Sequence, residues 1–213
     1  HKEYRRQRQM CIRDSFKEQG KERPNIDVKH PKILLDLYLN DQEGVISINT
    51  SGLPLFQRGY RTATGVAPIN EVVAASLIRL SGWDRKQAFY DPFCGSGTFL
   101  IEAALLACGI PSNIERQHYA FKNLVTFNAQ EWQAMIDEAP RVVRSLPCSI
   151  AGSDLSDEMV LKARRNLRGF SFGRFISIQS LNFSELRQNS SIGFLMFNPP
   201  YNERMELSDE ELY

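Results

Sequence analysis

Residues 69–213 predict an α/β domain built on a parallel, doubly wound sheet, and three observations carry that prediction. Short apolar runs alternate with helical periodicities along this stretch, the pattern of strands joined by right-handed crossovers. One run ends in Asp91-Pro92-Phe93-Cys94-Gly95-Ser96-Gly97-Thr98, a junction of strand, glycine turn and helix. Another ends in Asn198-Pro199-Pro200-Tyr201, about a hundred residues later.

Residues 1–25 lack usable periodicity and are expected to be a disordered or non-native segment. Lys32 to Leu39 and Gly44 to Asn49 are strand-like, and Asn40-Asp41-Gln42-Glu43 between them makes a hairpin. Two strands are marginal alone, so residues 26–52 are expected to be the end of a separate small α/β domain. Residues 53–68 form a linker carrying Arg58-Gly59-Tyr60-Arg61. After Pro68, the residues Ile69, Val72, Val73, Leu77 and Leu80 fall on one helical face, with Gly82 as the stop.

Ala88-Phe89-Tyr90 is the strand that enters the Asp91 motif, and Thr98 to Cys108 is an apolar helix ended by Gly109 and Pro111. Residues 112–148 are an insertion with scattered aromatics and a helix around 129–139. A strand at 149–152, a helix at 157–168 and strands at 175–180 and 192–197 complete the pattern. A doubly wound sheet needs more strands than these four, so the domain is expected to be truncated after the fourth.

An apolar share of 42% and a charged share of 24% are ordinary for a globular chain, and no stretch approaches the ~18 apolar residues of a membrane span. No membrane partner and no signal peptide is expected. Cys11, Cys94, Cys108 and Cys148 have no metal-ligand spacing, so neither a metal nor a disulfide framework is expected, and a cytoplasmic setting fits. Within a net charge of +1, residues 1–32 hold ten Lys or Arg against five Asp or Glu, leaving −4 on the remainder. That basic arm is as compatible with phosphate contact as with a solvated terminus. His30, His118, Trp83 and Trp132 suggest surface or packing roles, and nothing around Ser96 suggests a nucleophile.

At the first motif, Gly95 and Gly97 permit a tight turn and close backbone approach, and the following helix offers free N–H groups and a positive dipole end. A phosphate-binding loop needs Lys then Ser or Thr after its last glycine, and Thr98-Phe99 does not supply them; a dinucleotide loop needs a small residue where Leu100 stands. Asp91 suits a ligand with a cationic part, and S-adenosylmethionine has an α-amino group beside its carboxylate. Asp154 ends the next strand, 57 residues after Gly97. It either accepts both ribose hydroxyls of a nucleoside, the insertion accounting for the long spacing, or caps the helix that follows.

Asn182-Phe183 either meets an adenine ring or is a turn Asn beside a core Phe. In Asn198-Pro199-Pro200-Tyr201 the prolines stiffen the loop, so that the Asn198 oxygen and the Pro199 carbonyl can accept hydrogen bonds from an exocyclic NH2. Stacking of a base on Tyr201 is worth roughly 1–3 kcal/mol. Such an amine needs alignment more than a general base.

These motifs resemble the class I S-adenosylmethionine-dependent amino-methyltransferases. Within them, Asn49-Thr50-Ser51-Gly52, Arg58 to Arg61, Ala67-Pro68, Asp91 to Thr98, Gly152-Ser153-Asp154, Asn198 to Tyr201 and Glu203-Arg204 resemble the THUMP-containing RNA guanine-N2 methyltransferases of the rRNA large subunit methyltransferase L type. The resemblance runs from about residue 26 to the end. It implies a Rossmann-like class I methyltransferase sheet preceded by the end of a small α/β THUMP domain, an RNA-binding module.

It further implies that Asp91, Gly95 and Gly97, in a loop shared with Phe93 and Thr98, hold the methionine end of S-adenosylmethionine. Asp154 would take its ribose, Asn182 would sit near its adenine, and Asn198, Pro199, Pro200 and Tyr201 would hold the target guanine. Two residues depart from the family pattern: Asn182 stands where relatives often have Asp, and Asn202 replaces a common Gly. The implied substrate is RNA, 23S rRNA first and tRNA second, and the Arg58–Arg61 segment with the hairpin favours RNA over DNA. The alternatives are a DNA adenine-N6 methylase and a non-catalytic RNA-binding protein.

Overall fold

The computed structural model describes residues 14–22, 27, 29, 31–63, 68–114, 116–187 and 193–199. Cys11, His30, Ala67, Pro200, Tyr201, Asn202, Glu203 and Arg204, all singled out above, lie outside the described residues. The chain divides into two compact units, His1–Thr50 and Ser51–Tyr213.

In the first unit, residues 14–18 are helical (α1), inside the stretch expected to lack structure. Gly20 ends this helix with a left-handed φ of 64°, and the Lys21 amide reaches back to the Phe16 carbonyl at 2.9 Å. The hairpin is the one the sequence predicts. Strands β1 (Leu34–Leu39) and β2 (Gly44–Asn49) pair antiparallel, with Leu39 opposite Gly44. Asn40 makes the turn because its side-chain oxygen accepts from the amides of Gln42 (2.9 Å) and Glu43 (2.6 Å). The apolar side chains of both strands are exposed, Ile46 at 72%.

The second unit runs α2 (Glu71–Leu80), β3 (Ala88–Asp91), α3 (Thr98–Ala107), α4 (Ala129–Glu138), β4 (Ile150–Asp154), α5 (Asp157–Leu167), β5 (Ser177–Ser180) and β6 (Gly193–Leu195). Its sheet has the order β5-β4-β3-β6, and every described pair is parallel. Successive strands step outward from β3 to β5, and then the chain returns to the far side of β3. Right-handed crossovers therefore put α3 and α5 on one face, and the reversal between β3 and β6 makes a crevice at the strands' carboxyl ends. No helix among the described residues is long and apolar enough to cross a membrane.

Helices α2, α4 and α5 begin where the sequence supplies a side-chain cap. Asn70 accepts from Val72 and Val73, Asn128 from Gln130 and Glu131, and Ser156 from Met159. The apolar run of α3 is buried from Thr98 to Leu105, and it packs with Phe89, Ile150 and Ile178 into the core. A helix apolar on every side belongs in the interior.

Two expectations change. The α2 face predicted to be buried is exposed: Val73 at 48% and Leu80 at 83%. The face that meets α3 is instead Glu71, Ala74 and Ile78, because small Ala74 lets the helices approach and Glu71 finds an arginine there. Residues 53–68, expected to be a linker, supply buried Arg58 and Tyr60, and Tyr60 is part of the core.

The close approach that shapes the carboxyl edge of the sheet is at Gly152 on β4. A Cβ placed there would lie 2.8 Å from the Asp91 carbonyl oxygen, 2.9 Å from Leu100 Cδ1 and 3.1 Å from Cys94 Cβ. Two of those neighbours are backbone or backbone-proximal atoms that cannot swing aside. Gly152→Ala is expected to cost about 1–3 kcal/mol as overpacking, measured as a lower urea midpoint; an unchanged midpoint would show that the β3–β4 approach is looser than described.

Candidate active site

The parallel register sets the site. Asp91 pairs with Gly152 and Asp154 with Ser180, while Tyr90 pairs with Leu195. The Met196 amide extends that last ladder to the Tyr90 carbonyl at 3.1 Å. The carboxyl ends of all four strands therefore meet along one edge, bringing together Asp91, Asp154, Asn182 and Asn198. Pro199 is half-buried beside Asn198, and Pro200 and Tyr201 lie outside the described residues.

The glycine turn is fixed from below. The Cys94 amide donates to the Ser153 carbonyl (2.8 Å), and the Gly97 amide donates to the Cys94 carbonyl (2.8 Å). The Gly95 amide donates to Asp154 Oδ2 at 2.8 Å. Gly95 and Gly97 both take positive φ, 51° and 86°, where L-residues are strained. Their surroundings differ. A Cβ on Gly97 would stand 3.2 Å from Ala163 Cβ on α5, whereas a Cβ on Gly95 would meet nothing within 4 Å. Gly97 is thus a packing glycine, and Gly95 faces open space that a ligand can enter.

Asp91 is almost fully buried, and its Oδ1 accepts from the Phe93 amide at 3.0 Å. Burial pushes its carboxyl up to about 7; the nearby Asp154 charge adds to this and the Phe93 amide opposes it. Such a carboxyl gains most from a cationic partner. Asp154 accepts from Ser156 as well as Gly95, through Oδ1 and Oδ2 respectively. The helix that follows is capped by Ser156 rather than by Asp154, which makes a local turn with the Ser156 amide and links β4 to the glycine turn. Each Asp154 oxygen keeps a second lone pair for a ligand.

The neighbouring thiol is inert. Burial, reinforced by the Asp91 and Asp154 charges, drives the Cys94 thiol far above its usual range.

Three other candidates make contacts within the protein. Thr98 is buried, and its hydroxyl accepts from Arg61 Nη2 at 3.0 Å. Asn182 is exposed, and its oxygen accepts from both the amide (3.0 Å) and the hydroxyl (2.9 Å) of Ser184. Both lone pairs are occupied, so only its NH2 is left to face a ligand. Phe183 stacks on Phe93 at 5.3 Å, and Phe93 also meets Phe197 at 5.6 Å. Phe183 and Phe197 remain 49% and 43% exposed, an aromatic shelf suited to a flat ring.

The arginines expected to favour RNA face inward. Arg58 Nε lies 3.2 Å from Glu102 Oε1, which also accepts from the Tyr60 hydroxyl at 2.7 Å. Arg61 Nε lies 3.3 Å from Glu71. These charges are internal pairs, so they add nothing to an RNA surface. Sequence inspection missed Asn166, which is 2% exposed on α5. Its Nδ2 donates to the Ser96 carbonyl at 3.0 Å and to the Ala63 carbonyl at 2.8 Å. A polar residue on the apolar side of an amphipathic helix was the available signal.

The chain belongs to the RMKL-like methyltransferase domain family (UPF0020), whose profile matches residues 58–213. A ribosomal RNA large subunit methyltransferase K/L from Shewanella frigidimarina is 36% identical over 200 residues, covering 92% of this chain. The chain spans 28% of that relative's length. Among solved structures, SMU.472 in complex with SAH is 30% identical with a TM-score of 0.77, covering 94% of this chain and 52% of its own. A predicted N6-adenine-specific DNA methylase from Listeria monocytogenes is also 30% identical, with a TM-score of 0.76 and coverages of 92% and 50%. The α/β parallel sheet expected from the sequence is the class I methyltransferase sheet that these relatives share.

Asp91→Asn separates the electrostatics from the shape. With a folded value near 7 against an ordinary 3.8, protonated Asp91 contributes stability that is complete below about pH 4 and lost as pH rises through 7. The substitution is therefore expected to raise the Tm at pH 8 by the equivalent of a few kcal/mol at most, and to change little at pH 4. Thermal melts at both values check this, and an equal effect at the two would rule out the buried ionisation.

Proposed function

We propose that this domain binds S-adenosylmethionine at the β3 turn and directs methyl transfer to the exocyclic N2 of guanine in RNA, 23S rRNA in particular. The observation that carries the reading is the crevice between β3 and β6. It sets a buried carboxylate and an open glycine turn beside Asn198-Pro199 on the adjoining strand end.

The residues present fit the cofactor. Asp91 would face its α-amino group, the open side of Gly95 would admit its methionine end, and Asp154 would accept from its ribose. The Phe93, Phe183 and Phe197 shelf would take its adenine, with the Asn182 NH2 as a donor to a ring nitrogen. When bound, the cofactor supplies an electrophilic methyl group on a sulfonium centre.

The chain's own contribution is orientation. The Asn198 side-chain oxygen and the Pro199 carbonyl would accept from the two hydrogens of an exocyclic amine, turning its lone pair toward the crevice. Pro200 would hold that carbonyl in place, and Tyr201 would stack on the base. Alignment of this kind carries much of the rate of a displacement reaction. Support for an rRNA substrate comes from the Shewanella relative. The first-unit hairpin is read, on the same footing, as the end of a THUMP module, and a cytoplasmic setting follows from the substrate. A tRNA substrate belongs to the same chemistry.

A second reading is favoured by the Listeria structure: adenine presents an exocyclic amine of the same geometry, so DNA adenine-N6 methylation would use the same loop. The full-length protein is incubated with methyl-labelled S-adenosylmethionine and unmodified 23S rRNA, tRNA or DNA, and the product nucleoside is identified by mass spectrometry. N2-methylguanosine from rRNA supports the proposal; N6-methyladenine from DNA replaces it. No product, with no cofactor binding, leaves an RNA-binding protein without catalysis. Asn198→Ala is expected to lower methyl transfer by about a hundredfold or more while leaving SAH affinity nearly unchanged. Loss of SAH affinity in that variant would put Asn198 on the cofactor side instead.

A further inference from the structure

The glycine turn that faces the cofactor is held from two sides by groups outside the turn itself. On one side, Asn166 uses its whole amide. Its Oδ1 accepts from the amides of Thr62 (3.0 Å) and Ala63 (3.0 Å), and its Nδ2 donates to the carbonyls of Ala63 (2.8 Å) and Ser96 (3.0 Å). On the other side, Arg61 Nη2 donates to Thr98 Oγ1 (3.0 Å) and to the Ile69 carbonyl (2.7 Å), with Glu71 balancing its charge. Ser96 and Thr98 flank Gly97, the residue whose left-handed φ of 86° starts α3.

The geometry points to Asn166 and Arg61 as positioning residues that preorganise the Ser96–Gly97–Thr98 turn for cofactor binding, an inference that rests on the function proposed above. The argument is one of cost and direction. A guanidinium beside the N-terminal end of a helix is unfavourable against the dipole, and a buried amide on α5 must find four partners or lose stability. A fold needing only to bury these positions would be served by apolar side chains. What the polar pair supplies is direction. Asn166 draws the Ser96 carbonyl toward α5, while the Gly95 side of the turn stays open. With Arg61 fixing the Thr98 hydroxyl, neither end of the turn can rotate without breaking a buried hydrogen bond.

Neither residue need touch the cofactor, so the test must separate positioning from stability. Asn166→Asp keeps the size and the acceptors for Thr62 and Ala63, but removes both donors. Arg61→Lys keeps the charge but cannot set one nitrogen against Glu71 while another serves both Thr98 and Ile69, as Nε and Nη2 do. SAH affinity is measured calorimetrically on the full-length protein, well below each variant's Tm, beside Ile78→Val as a variant that only thins the core of α2. Weakening of SAH binding by about tenfold is expected in Asn166→Asp, which loses two neutral donors, and in Arg61→Lys, which loses the charge-assisted guanidinium geometry. The KM for S-adenosylmethionine should rise in step, the KM for RNA should hold, and Ile78→Val should bind SAH normally.

Unchanged SAH affinity in both variants, with only a lower Tm, would overturn the inference and leave the proposed function standing. Failure of the unsubstituted protein to bind SAH would overturn both. If Asn166→Asp does not fold, Arg61→Lys alone decides.

Discussion

Everything at the carboxyl edge of this sheet depends on how closely β4 comes to the turn leaving β3. Gly152 makes the approach possible because it has no Cβ to strike the Asp91 carbonyl and Leu100. The Cys94–Ser153 and Gly95–Asp154 hydrogen bonds then fasten the turn to the neighbouring strand. Asp154 can reach Gly95 only because β4 is drawn in this far. One missing methyl group on β4 therefore places two carboxylates beside the open side of the glycine turn. Moving β4 outward would separate them while leaving every secondary-structure element intact.

Crowding two carboxylates has an electrostatic consequence. Asp91 is raised to about 7, first by burial and then by Asp154. Glu102, one turn into α3, is also raised to about 7 by burial, against the opposing Arg58 charge and Tyr60 hydroxyl. The two are unlike in what surrounds them. Glu102 has an arginine and a tyrosine, and so belongs to a closed network that anchors residues 58–62. Asp91 has one backbone amide and no cation among its described contacts. A buried carboxyl left without a counter-charge is a cost to the fold that a cationic ligand relieves, and this asymmetry supports the proposal of Asp91 rather than Glu102 as the binding group.

The strands and the glycine turn were legible because each rests on local rules: period, and glycine where φ turns positive. Non-local choices were not. Val72, Val73, Leu77 and Leu80 make the more apolar stripe of α2, yet Ala74 and Ile78 meet α3, since the partner surface decides which face is covered. Arg58 and Arg61 look like phosphate contacts in sequence; only the fold brings Glu102 and Glu71 to them. Asn182 was left between a ligand contact and a turn Asn because only the fold shows that a serine two residues on takes its oxygen locally.

Asn166 explains why the site was less legible than the fold. Its partners are 103 residues away at Ala63 and 70 residues away at Ser96, so no window of sequence contains the arrangement. A motif records residues that must lie near a ligand at fixed spacing along the chain. The groups that hold a motif in shape are under no such constraint, because any element passing behind the turn can provide them. In this sheet α5 passes there, since two successive crossovers in one direction put it beside α3. Topology thus determines which helix can brace the turn, and Ala163 and Asn166 share the side of α5 that does so. A small residue for contact and an amide for direction, three positions apart, are what a helix needs to support a glycine turn from behind.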